Sequence, residues 1–178
     1  MIFHKTGLAG AYLIQIERHE DERGFFARTW CQREFEEHGL NPRLVQCNLS
    51  YNEKKGTLRG MHYQTMPYQE AKLVRCTSGA IHFVIVDLRP DSPTFKAHLG
   101  VTLPAETHDM LYTPEGFANG FLTLADDTYV FYQMSEFYAP EYARGFRWND
   151  PLFNIKWPAE VKVISDRDTH YPDFKLGN

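Results

Sequence analysis

Short apolar segments separated by turn residues recur along the whole chain, and this pattern limits the possible folds most strongly. Most of the segments alternate apolar and polar residues, which is typical of half-buried strands. The predicted strands are residues 11–16, 44–51, 57–64, 71–76, 80–88, 98–103, 110–113, 120–124, 128–134 and 161–165. A helical pattern is confined to residues 31–38, while residues 21–24 are predicted as a turn and residues 141–150 as irregular. The spacing predicts an all-β jelly roll of about eight core strands with flanking strands and short helices.

The composition indicates one globular domain and excludes several classes of protein. We expect residues 1–178 to form a single domain, since this length can bury a substantial core. The net charge of −4, without a dense basic run, argues against nucleic acid as the main partner. No apolar run is long enough to span a membrane, and the N-terminus lacks the pattern of a signal peptide. Cys31, Cys47 and Cys76 show no CxxC spacing, so we expect a cytoplasmic protein without disulfides or a zinc site.

Residues 56–64 place glycine, arginine and histidine together in one predicted strand. Gly60 lies beside His62, and a glycine within a strand indicates that another group approaches the backbone closely. Histidine is also the side chain best suited to moving a proton near neutral pH. On this segment alone, a hydrogen-bonded structural histidine is the simpler interpretation.

Two charged residues elsewhere are candidate partners for this histidine. Asp168 follows the last predicted strand, and a carboxylate on one imidazole nitrogen raises the basicity of the other nitrogen. Lys72 lies between apolar strand residues, where an ammonium group can stabilise a developing oxyanion. Taken singly, Asp168 is more typical of a solvated surface charge, and Lys72 of an edge strand that resists aggregation.

Tyrosines and arginines supply further candidates for chemistry and binding. Tyr132 and Tyr138 can donate a proton or stack on a sugar or base, although aromatic residues in strands more often pack in a core. Arg23 and Arg59 are candidates for phosphate binding because guanidinium pairs with two phosphate oxygens at once. Most arginines, however, lie on the surface without such a role.

The sequence disfavours a metal centre. Its eight histidines include no His-x-His pair. The plausible ligands are limited to His62, Gln64, Glu70 and Asn119, and neutral amides bind transition metals weakly. We therefore expect neither a metal nor an organic cofactor.

Several segments, in this order, resemble the dTDP-4-dehydrorhamnose 3,5-epimerase (RmlC-like) family of the cupin superfamily. The matching positions are residues 21–26, 46, 48, 56–64, 72–76, 86–95, 114–118, 132–138, 144–151 and 165–168. The resemblance implies a cupin jelly roll, a double-stranded β-helix, that acts on a nucleotide-diphosphate-linked 4-keto sugar without a cofactor. It also implies a homodimer in which N-terminal strands, about residues 1–30, are exchanged between subunits.

The resemblance assigns a chemical role to four residues. His62 is implied as the base that removes the proton next to the ketone, with Asp168 orienting it. Lys72 is implied to stabilise the enolate, and Tyr132 to return a proton to the opposite face. Epimerisation beside a ketone requires a base, an acid and a group that stabilises the enolate, so these residue types suit the reaction.

The resemblance also implies a set of binding residues. Arg59 would hold the diphosphate together with Arg23 of the other subunit. The implied contacts to the nucleotide and sugar are Gln46, Asn48, Phe26 and Tyr138. Arg28 and Asn119 complete the set of expected substrate-binding residues. Since a regular strand points Arg59 and His62 to opposite faces, we expect a bulge or twist at Gly60 that brings both to one pocket.

Three positions depart from the pattern of the rhamnose enzymes. Asn119 replaces a histidine and Phe83 an aspartate, which favours altered chemistry at one carbon or a different sugar. Arg28 replaces a glutamate near the base, which leaves a guanosine- or cytidine-linked sugar, including a heptose, as an alternative to thymidine. Each departure is also compatible with neutral drift.

The leading hypothesis is an epimerase that inverts C3, C5 or both carbons through an enolate. A ketoisomerase, which moves the carbonyl along the ring, would use the same base and acid with a different placement of the substrate. A metal-dependent cupin and a non-catalytic sugar-nucleotide binding module are the remaining alternatives. The set of base, acid and lysine disfavours the binding module.

Overall fold

The computed structural model describes residues 1–175 and consists mainly of antiparallel strands. The strands are β1 (Ile2–Lys5), β2 (Tyr12–Gln15), β3 (His19–Asp21), β4 (Gly24–Phe26), β5 (Gln46–Asn52), β6 (Thr57–Gln64), β7 (Lys72–Ser78), β8 (Ala80–Asp87), β9 (His98–Pro104), β10 (Met110–Thr113), β11 (Phe117–Thr123), β12 (Thr128–Met134), β13 (Ala143–Gly145) and β14 (Val163–Ile164). The helices are α1 (Gln32–Glu37), α2 (Asp166–Thr169) and the 3-10 turn Ala105–Thr107. The all-β prediction is confirmed. The last three residues of the expected domain, 176–178, lie outside the described part.

Two sheets face each other across the main core. One sheet has the strand order β1-β2-β10-β7-β12-β5, and the other has the order β13-β6-β11-β8-β9 with β14 pairing to β6. Their facing sides bury Val74 and Val130 from the first sheet against Ile81, Phe83 and Phe121 from the second. Burial of these apolar side chains is the main force that holds the two sheets together.

A second cluster anchors the N-terminal region to the first sheet. Helix α1 is close to the prediction of residues 31–38, and its Phe35 is buried. Phe35 contacts the rings of Phe3, Trp30 and Tyr112. Neither helix in residues 1–175 is long and apolar enough to cross a membrane.

The predictions were wrong for several exposed or doubly buried segments. The predicted turn at residues 21–24 is confirmed, but the flanking strands β3 and β4, which pair across it as a hairpin with every residue exposed, were not predicted. Residues 141–150 contain β13, and β1 and α2 were not predicted. Strand β11 begins at Phe117, before the predicted start at residue 120. The sequence did not indicate this start because the residues of β11 are buried on both faces and show no alternation.

A bulge interrupts β6 at the glycine beside His62, as expected from the sequence. Asn119 of β11 pairs with His62, while Phe121 pairs with Arg59. An advance of two residues along β11 therefore corresponds to an advance of three residues along β6, so β6 has one extra residue. Gly60 has a φ of +140°, and a Cβ there would lie 2.5 Å from the Cα of Gly120. The extra residue brings Arg59 and His62 to the same cavity.

Candidate active site

A cavity of about 510 Å³ lies between the two sheets and continues into a neighbouring lobe of about 310 Å³. We call these the first and the second lobe. Four residues line both lobes: His62, Lys72, Tyr132 and Arg167. His62 belongs to one sheet, while Lys72 and Tyr132 belong to the other. A ligand in the cavity would therefore meet these side chains from opposing walls.

His62 and Asp168 form a hydrogen-bonded dyad on the β6 side. The Nε2 of His62 lies 2.6 Å from Oδ1 of Asp168, and the backbone N–H of Gly60 donates to Oδ2 at 3.1 Å. Asp168 lies in α2, where Ser165 caps the helix by accepting from the backbone N–H of Asp168 at 3.1 Å. Both carboxylate oxygens are thus occupied, and the bulge glycine holds one of them.

The surroundings of Asp168 keep its carboxylate ionised. Burial alone would raise its pKa, but the hydrogen bond and charge of His62, the Gly60 N–H and the charge of Arg167 together lower it. An ionised carboxylate only accepts hydrogen bonds, so the imidazole donates Nε2–H and its Nδ1 carries the free lone pair. Asp168 is only 3% exposed, whereas the His62 side chain is 38% exposed, so the imidazole remains accessible.

Lys72 and Tyr132 form the opposing wall. Lys72 Nζ lies 2.9 Å from Oε1 of Glu70 and 3.4 Å from Oδ1 of Asn119, which reaches it from the other sheet. Burial raises the pKa of Tyr132 and the charge of Glu70 adds to this, against an opposite effect of Arg59. Tyr132 is therefore protonated at neutral pH and able to donate a proton.

Besides Asn119, four predicted binding residues line the cavity. Arg59 lines the first lobe, and its Nε donates to Oδ1 of the buried Asn52 at 2.8 Å. Gln46 and Asn48 line the second lobe and are hydrogen-bonded to each other at 3.2 Å. Tyr138 lies beside them, and its backbone N–H donates to Oε1 of Gln46 at 3.2 Å.

Three predicted binding residues do not line either lobe within one chain. Arg23 lies in the β3–β4 hairpin and pairs with Asp21, and Phe26 is 74% exposed. Arg28 pairs with Glu34 of α1. A single chain therefore does not bring these residues to the cavity.

Phe83 and Asn119, two of the three positions that depart from the pattern of the rhamnose enzymes, both line the first lobe. Phe83 pairs with Phe121 on the adjacent strand and makes this part of the wall apolar. Asn119 donates from Nδ2 to the backbone oxygen of His62 at 3.2 Å, and its Oδ1 faces Lys72. The amide thus links the strand of His62 to Lys72 on the opposing wall.

Sequence reasoning missed two residues of the site and one contact. Arg167 lines both lobes, and its Nε donates to the hydroxyl of Tyr171 at 2.7 Å. The Tyr171 ring meets the His62 ring edge-on with centroids 5.9 Å apart. Glu70 was weighed only as a metal ligand, whereas the structure pairs it with Lys72. The signal for Arg167 was its place beside Asp168, but nothing in the sequence pointed to Tyr171.

Within residues 1–175, no group of three or more His, Cys, Asp or Glu side chains is arranged to hold a metal ion. Of the four ligands considered from the sequence, His62 is bonded to Asp168 and Glu70 to Lys72. Gln64 is buried and donates to the backbone oxygen of Tyr68 at 2.7 Å.

Comparisons with known proteins identify the family of the chain. Residues 5–175 match the family model described as dTDP-4-dehydrorhamnose 3,5-epimerase. The chain is 42% identical to the dTDP-4-dehydrorhamnose 3,5-epimerase of Shigella flexneri, with 96% of this chain and 94% of that protein covered. It is 44% identical to the enzyme of the same name from Methanothermobacter thermautotrophicus, with 97% and 94% covered.

Solved structures of sugar-nucleotide epimerases have the same fold as this chain. The dTDP-4-dehydrorhamnose 3,5-epimerase of Bacillus anthracis with TDP and PPi bound has a TM-score of 0.93 at 39% identity, covering 97% of this chain and 99% of that one. ChmJ, a 3'-monoepimerase from Streptomyces bikiniensis in complex with dTDP-quinovose, has a TM-score of 0.87 at 32% identity, covering 96% and 86%. The chain therefore belongs to the dTDP-4-dehydrorhamnose 3,5-epimerase family of cupin jelly rolls and is an isomerase of nucleotide-diphosphate-linked 4-keto sugars.

Proposed function

We propose that the substrate is a dTDP-linked 4-keto-6-deoxyhexose and that both C3 and C5 are inverted. The observation that carries this proposal is the His62–Asp168 dyad, which faces Lys72 and Tyr132 across one cavity. The names of the relatives that are more than 40% identical support both the nucleotide and the number of carbons. The names of the relatives thus favour thymidine over the guanosine- and cytidine-linked alternatives left open by Arg28.

His62 acts as the base in this proposal. The C–H bond next to the C4 ketone breaks and its proton goes to Nδ1 of His62. Its electron pair forms a double bond to C4, and the π pair of the carbonyl moves onto the C4 oxygen, which gives the enolate. Asp168 stabilises the resulting imidazolium because its carboxylate already accepts Nε2–H at 2.6 Å. Asp168 is itself held by Gly60 and by the α2 cap, so the imidazole stays in one orientation.

Lys72 and Tyr132 complete the reaction from the opposing wall. The ammonium of Lys72 donates to the C4 oxygen as it gains negative charge, which lowers the barrier to deprotonation. Tyr132 delivers its proton to the face of the enolate opposite His62, and this step inverts the carbon. Between the two inversions, at C5 and at C3, His62 releases its proton to solvent and Tyr132 takes one up, so the same base and acid serve both carbons.

Cationic side chains along the cavity suit a diphosphate. Arg59 and Arg167 line the first lobe, and Arg144 lines the second lobe beside Arg167. In this proposal, Arg59 binds the diphosphate, while Gln46, Asn48 and Tyr138 bind the nucleoside side. Binding energy from the nucleotide then fixes the sugar ring for proton transfer.

We further propose that the enzyme is a homodimer in which the partner subunit contributes Arg23 and Phe26 to each site. Support comes from the exposed β3–β4 hairpin, where Phe25 is 45% and Phe26 is 74% exposed. These two exposed rings, on a hairpin whose other residues are mostly charged, are stabilised when they pack on another surface. Arg28, on the same N-terminal segment, would then lie near the base of the nucleotide.

Product analysis by NMR tests the proposal. A dTDP-4-keto-6-deoxyglucose substrate should yield a product with inverted C3 and C5 and with the carbonyl still at C4. Relocation of the carbonyl to C3 would instead identify a ketoisomerase. Faster turnover of a GDP- or CDP-linked 4-keto sugar would overturn the assignment of the nucleotide.

A further inference from the structure

Glu70 carries a buried carboxylate oxygen that the protein leaves without a partner. The residue lies two positions before the start of β7 and is 7% exposed. Its Oε1 lies 2.9 Å from Nζ of Lys72, but Oε2 has no hydrogen-bond partner among residues 1–175. A buried carboxylate oxygen without a hydrogen bond is costly, so native structures nearly always satisfy such groups.

The position of Glu70 in the cavity indicates which group donates a hydrogen bond to its Oε2. Glu70 lines the second lobe together with Lys72 and Tyr132, which are two of the four residues shared with the first lobe. A ligand bound between the walls would therefore lie beside the carboxylate. An ionised carboxylate only accepts hydrogen bonds, so the ligand group must be a donor, and a hydroxyl is the donor that sugars carry.

The pairing with Lys72 indicates which hydroxyl is involved. Lys72 presents an ammonium donor, and Glu70 presents a carboxylate acceptor directly next to it. A 4-keto hexose offers the complementary pair, a ketone oxygen on C4 that accepts and a hydroxyl on the adjacent C3 that donates. One donated and one accepted hydrogen bond, side by side, fix the orientation of the sugar ring better than either contact alone.

We propose that Glu70 and Lys72 together recognise the α-hydroxyketone of the sugar. Lys72 donates to the C4 oxygen, and Oε2 of Glu70 accepts the hydrogen of the C3 hydroxyl. The inference rests on the proposed function and adds to it a residue that determines specificity. A carboxylate beside Lys72 weakens the stabilisation of the enolate by the ammonium charge. The proposed contact with the C3 hydroxyl explains why a buried carboxylate is nevertheless found there.

The test compares two substrates in the wild-type enzyme and in Glu70→Gln. The substrates are dTDP-4-keto-6-deoxyglucose and its 3-deoxy analogue, and the readout is kcat/KM for deuterium exchange at C5, which both can undergo. The wild type should prefer the 3-hydroxy substrate by about tenfold to hundredfold, the usual range for a hydrogen bond to a charged group. Glu70→Gln should lose most of this preference by slowing the 3-hydroxy substrate while leaving the 3-deoxy analogue nearly unchanged.

An equal loss on both substrates would overturn the inference, because Glu70 would then serve only to hold Lys72. Glu106→Gln, which removes an exposed carboxylate outside both lobes, is the matched control and should keep the wild-type preference. Inhibition by dTDP should be the same in wild type and Glu70→Gln, which shows that the variant is folded. If Glu70→Gln does not fold, Glu70→Asp takes its place in the same comparison. Failure of the wild type to exchange either substrate would refute the proposed function itself.

Discussion

His62 and Asp168 are hydrogen-bonded at 2.6 Å although 106 positions separate them in the chain. Strand β14 pairs in parallel with β6, and α2 begins directly after it, so the carboxylate arrives beside the imidazole. The same carboxylate also accepts from Gly60 in the bulge of β6. The position of the His62 imidazole thus depends jointly on the bulge and on the C-terminal segment.

Asp168→Asn should lower kcat by about a hundredfold or more while leaving the affinity for dTDP unchanged. The amide oxygen can still accept from His62, but the variant lacks the negative charge that stabilises the imidazolium. Steady-state kinetics and a dTDP inhibition constant measure the two effects. An unchanged kcat would show that Asp168 does not act through the base.

Asp168 should also contribute a pH-dependent part of the stability. Its pKa in the folded protein lies below the unperturbed value of 3.8. The contribution is therefore fully present above that pH and is lost as the pH falls through the lower folded value. Urea unfolding at several pH values should show wild type more stable than Asp168→Asn near pH 6, with the gap shrinking toward pH 3. A gap that does not change with pH would contradict the lowered pKa.

Gly60→Ala should destabilise the protein by at least about 2 kcal/mol and abolish most activity. The added Cβ would lie 2.5 Å from the Cα of Gly120, and the φ of +140° is strained for alanine. Gly7→Ala is the control, because a Cβ there meets no atom within 4 Å. Melting temperatures of the two variants measure the difference, and equal values would show that the bulge tolerates a side chain.

The proposed exchange of N-terminal strands can be tested by complementation. Arg23→Ala and His62→Ala should each be nearly inactive alone, but coexpression should restore activity. In a mixed dimer, the site with an intact His62 receives Arg23 from the other subunit, which still carries it. If Arg23 acts within its own chain, no site in the mixed dimer is complete and activity stays low.

The sequence predicted the strands well where one face is buried and the other is polar. Thr128–Met134 matches the prediction because turn residues flank it and buried residues alternate with more exposed ones at its start. Thr57–Gln64 also matches because turn residues flank it, although most of its residues are buried. The exposed β3–β4 hairpin was missed because it buries no face, so no pattern distinguishes it from a turn.

The site was less accessible to sequence reasoning than the fold. Resemblance to a family pointed to the His62–Asp168 pair, while spacing alone left Asp168 as a surface charge. The contact between Glu70 and Lys72 escaped notice although the two are close in sequence. Side-chain direction before the first residue of a strand depends on the loop that precedes it, and sequence patterns do not specify that direction.

Position-resolved deuterium exchange tests the central claim most directly. In D₂O, wild-type enzyme should introduce deuterium at both C3 and C5 of dTDP-4-keto-6-deoxyglucose as it inverts them. His62→Ala should introduce none, and Tyr132→Phe should exchange without inverting, because it keeps the base and lacks the acid. Exchange at one carbon only would limit the enzyme to a single inversion. Exchange that continues unchanged in His62→Ala would contradict the assignment of His62 as the base.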